Sequence, residues 1–263
     1  MQTIPAQVTA QDRDFVAALE RGLAVLTAFN QERESLTITD VANATQMTRA
    51  AARRYLHTLT RLGYLASDAK QFAITPKVLG LAQSYWHSTR LPLLVGEPLQ
   101  RLSSALGGAA TVAVIDGNDI ITVRAATDGS VLSPSTQPGA RLPAHCTANG
   151  RVLLASSLEA LTEAAQIERI ESIPLTAQTS RTVTSYDRLT LELRRVTQQG
   201  YALTQQEFEI NMHALAVPLK NKRNQTVAAL NIICNTAQRG DINLVERCLP
   251  ALLRAQAELH EAL

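Results

Sequence analysis

The sequence predicts an α+β chain of two domains joined by a helix, and three observations carry that reading. The first 75 residues hold three helix-like stretches followed by two short β-like runs. A helical stripe at Val78, Leu81, Ala82 and Tyr85 then breaks near Leu91 and Pro92, because proline drives the residue before it out of the helical region. Beyond that point helical and β-like segments intermix to the end of the chain. The expected division is 1–13 as a flexible N-terminus, 14–75 as a small winged helix-turn-helix domain, 76–91 as a linker helix and 92–263 as a larger mixed domain.

The first helix is read from Phe15, Leu19, Leu23, Leu26 and Phe29, which recur every three or four positions and so share one face. Thr37, followed three residues later by Asp40, has capping-box spacing and starts a short helix over 38–44. After the turn at 45–47, Thr48 is a good N-cap for a third helix reaching Leu62. Ala52, Leu56, Leu59 and Leu62 line one face of that helix, which leaves Arg49, Arg53 and Arg54 elsewhere, and Gly63 ends it. Runs at 64–67 and 71–74 flank a polar turn, as a β-hairpin wing would. Pro76 sits where a new helix can begin without losing a hydrogen bond.

In the second domain the pattern reads as a helix over 93–107, strands at 110–115 and 119–126, and a Pro/Gly/Ser-rich loop over 128–140. Helices are expected over 147–155, 158–166 and 185–199, strands over 201–206, 213–220 and 226–234, and a closing helix from about 241.

Composition removes several function classes. With 46% hydrophobic and 18% charged residues, the chain can bury a core in each domain. No run approaches the roughly 20 apolar residues of a spanning helix. The first residues lack the basic and apolar blocks of a secretory signal, so the expected compartment is the cytoplasm, with no membrane partner. Cys146, Cys234 and Cys248 are widely spaced without a CxxC pair, so neither a disulfide framework nor a zinc site is expected, and no metal or cofactor is implied. There is no G-x-S-x-G and no phosphate-cradling glycine loop. His145 beside Cys146 is a poor nucleophile pair, because catalytic partners converge from distant segments, so an enzyme is not expected.

Charge distribution says more than its total. Residues 1–91 carry ten Lys/Arg against seven Asp/Glu, a net +3, and the remainder carries fifteen against sixteen, a net −1. Between Val41 and Ser67 there are four arginines and no acid, which marks where a polyanion would be met. A short helix, a tight turn and a second helix with early basic residues is the helix-turn-helix arrangement, whose second helix enters the major groove. Arg49, Arg53 and Arg54 suit bases or phosphates, and Thr48 suits a phosphate. Thr37, Ala50, Tyr55 and the wing residue Lys70 complete the expected DNA-facing set. The plainer alternatives are a solvated helix face, or a winged helix that docks a protein partner.

The segments LERGLAVLTAFN from Leu19 and LTITDVANATQMTRAAARRYLHTLTRLGYL from Leu36 resemble the N-terminal domain of the IclR family of bacterial regulators. RLPAHCTANGRVLLA at 141–155, QGYALTQQEFEINMHALAVPL at 199–219 and VAALNIICN at 227–235 are similar to the family's sensing domain. The RLPA and GRVLLA stretches look closest to regulators of aromatic-acid breakdown. The resemblance implies a GAF-like effector-binding domain with a six-stranded or similar antiparallel sheet. It also implies dimers that pair into tetramers, double-stranded DNA with a palindromic operator as partner, and RNA polymerase as a candidate contact. Its implied effector is a small organic acid such as protocatechuate, 4-hydroxybenzoate or terephthalate.

Carried onto this chain, the carboxylate-binding turn falls on Thr147, Ala148 and Asn149, before a helix opening at Gly150 whose free amides suit an anion. Thr204, Ala214, Asn231 and Ile233 match other pocket positions, His145 and Cys146 a wall or mouth, and Glu207 belongs to the same set. One departure stands out. After Glu207 the aromatic-acid regulators read Glu-Ile-Gly-Leu-Arg-Ser, whereas this chain reads Glu209, Ile210, Asn211, Met212, His213, Ala214. His213 is then the expected stand-in for an arginine, and a different ligand size or charge follows. Arg124 and Arg141 are weaker ligand candidates, each as well suited to an ion pair.

Overall fold

The computed structural model describes residues 14–30, 33–129, 133–239 and 243–263, and the chain divides into two compact units between Thr89 and Arg90. Residues 1–13, expected to be flexible, lie outside the described residues.

The first unit runs α1 (Ala17–Thr27), β1 (Ser35–Leu36), α2 (Ile38–Ala44), α3 (Arg49–Arg61), β2 (Leu65–Asp68), β3 (Gln71–Ile74) and, after a 3-10 turn at Pro76–Val78, α4 (Leu79–Ser88). Caps set the boundaries of α2 and α3. The Thr37 amide donates to Asp40 Oδ2 at 2.9 Å and the Asp40 amide donates to Thr37 Oγ1 at 3.3 Å, a closed capping box that fixes the start of α2. The Ala51 amide donates to Thr48 Oγ1 at 3.2 Å and starts α3. Gly63, at φ +80°, ends α3 in a left-handed turn in which the Tyr64 amide reaches Leu59 O at 2.9 Å. Lys77 Nζ adds a bond to the last-turn carbonyl of Leu62 at 2.7 Å. Val25, Val41, Ala52, Leu56, Leu65 and Phe72 form the core, and the wing is a three-stranded sheet of order β1-β3-β2.

The second unit runs α5 (Leu91–Leu94), α6 (Gly96–Leu106), β4 (Ala109–Asp116), β5 (Asp119–Ala126), β6 (Arg141–Pro143), α7 (Ala148–Leu158), α8 (Glu163–Glu171) and α9 (Tyr186–Gln199). It continues with β7 (Ala202–Gln205), β8 (Met212–Lys220), β9 (Thr226–Asn235), α10 (Thr236–Arg239) and α11 (Leu244–Ala262). The strands form one antiparallel sheet of order β6-β5-β4-β9-β8-β7. Alternation gives this sheet two buried faces. On one, Ala113, Ala202, Ala216 and Ala229 are small enough to let α7 lie close. The other packs against α6 and α11, the latter burying Leu244, Cys248, Leu252 and Leu259.

Four elements differ from expectation. The helix expected over 93–107 is two helices, α5 and α6, meeting at Val95. The helix expected over 158–166 begins at Glu163, because Thr162 caps it through the Ala165 amide while α7 runs on to Leu158. The two-residue β1 and three-residue β6 are too short to register as alternation.

Candidate functional site

In the first unit, the core-facing side of α3 is Ala52, Leu56 and Leu59, so positions three and four residues apart on its far side reach solvent together. Thr48, Arg49, Ala50, Arg53 and Arg54 are all exposed there, and none of the three arginines has an acidic partner among the described residues. Tyr55 is half-buried against the core instead, and Thr37 is half-buried with its hydroxyl engaged by Asp40. Lys70 is exposed in the wing turn, where Ala69 adopts φ +51°. The result is an exposed basic face on α3, with one lysine and one aspartate at the wing turn. His57 on α3 packs edge-on against Phe72 of β3, ring centres 5.8 Å apart, which links helix to wing.

In the second unit a small cavity lies between the sheet and the N-terminus of α7. Eight expected residues line it: Cys146, Thr147, Ala148, Asn149, Thr204, Ala214, Asn231 and Ile233. Strand register explains their convergence. Thr204 on β7, Ala214 on β8 and Ile233 on β9 are consecutive cross-strand partners, and Asn231 stands opposite Thr111 of β4 one step along the same face. Apolar walls come from Ile120, Leu142, Phe208, Met212 and Ile233.

Three of the polar lining residues are linked to one another. Asn149 Nδ2 donates to Thr111 Oγ1 at 3.2 Å, and Thr111 Oγ1 donates to Asn231 Oδ1 at 2.6 Å. That relay leaves Asn149 Oδ1 buried without a partner, in a residue that is 1% exposed. Thr147, the N-cap of α7, turns its hydroxyl back to Pro143 O at 3.0 Å and makes no side-chain cap, so the first amides of the helix are left uncapped at the cavity wall. Gly150 permits this arrangement, since a Cβ there would stand 2.2 Å from Ala144 O of the preceding 3-10 turn.

Four expected residues do not line the cavity. Gly150 packs against Ala144, as above. His145 is buried beside it, with Nε2 at 3.2 Å from Thr176 O, and burial pushes its pKa down, helped by the Arg151 charge and opposed by the Thr176 carbonyl. Glu207 meets Arg151 Nη2 at 2.5 Å, and burial pushes its carboxyl up against the lowering pull of that guanidinium. His213 neighbours Ala214 on β8 and so faces the opposite side of the sheet, near Arg181, Gln205 and Thr236. It therefore cannot substitute at the cavity for the arginine of similar regulators. Asn211, where those regulators have glycine, holds the left-handed φ of +65°, a conformation asparagine tolerates.

Burial pushes the Cys146 thiol up to about 12, which keeps it protonated and unreactive. Arg141 is consumed by Asp116 and by Asp119 at 2.7 Å, so it ties β6 to the β4–β5 turn. Sequence reasoning missed Thr111, Ile120, Thr122, Ser135, Thr136, Leu142, Phe208, Glu209 and Met212. For Thr111 a signal existed, since alternation on β4 puts it on the face of Ala113.

No described helix is long and apolar enough to cross a membrane. Residues 18–69 match the IclR helix-turn-helix domain, and residues 83–259 match the C-terminal domain of bacterial transcriptional regulators of the IclR type. A Pca regulon regulatory protein from Pseudomonas putida is 38% identical, over 96% of this chain and 86% of the relative. A crystal structure of a putative transcriptional regulator from Rhodococcus sp. RHA1 is 34% identical with a TM-score of 0.77, over 94% of this chain and 98% of that one. The inducer-binding domain of the PobR transcription factor from Acinetobacter, a double mutant solved with 3-hydroxybenzoic acid, is 30% identical with a TM-score of 0.61, over 66% of this chain and all of that one. Matched in both of its units, the chain belongs to the IclR family and is a DNA-binding transcriptional regulator rather than an enzyme.

Proposed function

We propose that this regulator controls an operon for aromatic-acid breakdown and that its effector is a hydroxylated benzoate held in the cavity at the start of α7. The observation that carries the reading is Asn149, whose side-chain oxygen is buried and unpartnered beside uncapped helix amides. Such amides favour a carboxylate, and a buried acceptor calls for a donor. A hydroxybenzoate carries both groups on one rigid ring, which the apolar walls suit. A dicarboxylate brings no donor for Asn149, and its second charge would enter a cavity that Glu209 also lines. The bound 3-hydroxybenzoic acid of the Acinetobacter relative supports the same ligand class.

The reading includes a homodimer whose paired α3 helices meet two operator half-sites. Val16 at the start of α1, Leu19 and Leu23 along it, and Leu79, Leu81 and Trp86 on α4 are exposed apolar side chains outside the core of their unit. Molecular mass in solution tests this part, and a monomer at micromolar concentration overturns it.

The effector reading is tested by thermal shift and calorimetric titration of the full chain with benzoate, 3- and 4-hydroxybenzoate, protocatechuate and terephthalate. A ligand at about 100 times its Kd adds about 2.7 kcal/mol to stability, a readily measured rise. No response to any hydroxybenzoate overturns the reading, and tighter binding of terephthalate overturns the preference for one carboxylate.

A further inference from the structure

We propose that Arg151 and Glu207 are positioning residues of the effector cavity: their buried ion pair ties the helix end that forms one wall to the hairpin loop that forms another, and so sets ligand affinity without touching ligand. The inference rests on the cavity being the effector site.

Neither side chain lines the cavity, yet each is anchored to something that does. Arg151 lies on the first turn of α7, just beyond the cavity-lining Thr147, Ala148 and Asn149. Its guanidinium is 2% exposed and makes contacts in three directions. Nε donates to His145 O at 3.0 Å and holds the 3-10 turn that leads into Thr147. Nη2 reaches Glu207 Oε2 at 2.5 Å, and Nη1 stands 4.0 Å from Glu192 Oε2 on α9.

Glu207 sits in the loop joining β7 to β8, and Phe208, Glu209 and Met212 of that hairpin line the cavity. The loop enters and leaves through left-handed residues, Gln206 at φ +60° and Asn211 at φ +65°. Neither is glycine, and such conformations persist when surrounding contacts over-determine them. The contacts are present. Thr179 Oγ1 donates to Gln206 O and Thr182 Oγ1 donates to Glu207 O, both at 2.6 Å, and the Val183 amide donates to Glu207 Oε2 at 3.4 Å. Arg151 is the member of this set that reaches across to the opposite wall.

A purely structural role makes a different prediction. A buried ion pair is often no more stabilising than an apolar pair of the same size, whereas removing one partner strands a charge. Stability and ligand affinity can therefore be separated. In the full chain, Arg151→Met and Glu207→Met alone are expected to unfold at lower temperature, and the double variant to recover much of the loss. The recovered double variant should still exchange amide hydrogens about tenfold faster at 206–212 and at 151–153, the first bonded amides of α7, and bind 4-hydroxybenzoate about tenfold more weakly, the size of coupling that contacting residues show.

Wild-type protection of both segments in the double variant overturns the proposal, as does wild-type affinity. If the wild-type chain binds no hydroxybenzoate, the aromatic effector reading fails by itself, and the exchange measurement, made without ligand, still decides this one. Should the double variant not fold, Arg151→Lys serves, since it keeps the charge but not the bridge from His145 O to Glu207. Faster exchange at both walls is then expected, and unchanged exchange overturns the tie.

Discussion

The Thr111 hydroxyl donates to the side-chain oxygen of Asn231 at 2.6 Å, between residues that stand opposite each other on β4 and β9. The Thr111 amide also points at that oxygen, at 3.2 Å, so its acceptor capacity is filled. Asn149 donates into the same relay, and its own oxygen is what remains for a ligand. The pair thus works as a fixed polar floor that orients a third residue.

Asn149→Ala is accordingly expected to weaken 4-hydroxybenzoate binding by about 1–3 kcal/mol, the usual cost of losing a buried hydrogen bond. Operator affinity without effector should not change. Calorimetry and a mobility shift read the two quantities separately, and unchanged ligand affinity would remove Asn149 from the site.

On the DNA side, Arg53→Ala and Arg54→Ala should each weaken binding to the protein's own promoter region. For an arginine on a phosphate, the slope of log affinity against log salt falls by about 1; for one on a base edge, binding drops with less change in slope. Lys222→Ala, an exposed change in the other unit, is the control. A mobility shift at several salt concentrations that cannot distinguish the arginine variants from this control would place the reading face elsewhere.

Most of the first unit was legible because its boundaries are local chemistry: Thr37 with Asp40, Thr48 as N-cap and Gly63 as stop all act within a few residues. The second unit was legible in its strands and less so in its cavity. Ser135, Thr136 and Phe208 come from connecting segments whose path no periodicity encodes. Glu207 was grouped with the cavity because nothing in the chain announces a partner 56 residues away, and that partner turns its carboxylate aside. His213 is a different kind of miss. Adjacent residues in a strand face opposite ways, so His213 and Ala214 could not both have reached one cavity, and that much was available from the sequence.

Gly150→Ala should fail to give a stable second unit. The added Cβ would meet the Ala144 backbone at 2.2 Å, and backbone cannot swing aside as a flexible side chain can. A loss at the upper end of the usual overpacking range, about 3 kcal/mol, is expected. Gly80→Ala is the matched control, a helical glycine with nothing within 4 Å of its added Cβ, expected to be neutral or stabilising by about 0.5–1 kcal/mol. Equal unfolding midpoints for the two variants would mean that the turn at 144–146 yields more readily than its packing implies.

His145 makes acid sensitivity a property of the 3-10 turn that leads into the cavity. With Nε2 donating its proton to Thr176 O, Nδ1 is a bare nitrogen, buried and unpartnered, so a second proton would gain a charge and find no acceptor. Burial, with the nearby Arg151 charge, therefore holds the imidazole pKa below its ordinary value of 6.5. A histidine depressed in the folded state contributes stability that is complete above its unfolded pKa and is lost as pH falls through that value toward the folded one. The unfolding midpoint should thus drop between about pH 7 and pH 5.5. His145→Gln, which keeps a donor for Thr176 but does not titrate, should drop less. Glu207 pulls the other way, since a carboxyl raised by burial favours the folded state as pH falls, and for that reason the informative quantity is the difference between the two proteins at each pH. Parallel curves for wild type and His145→Gln would show that the imidazole is not held neutral by the fold.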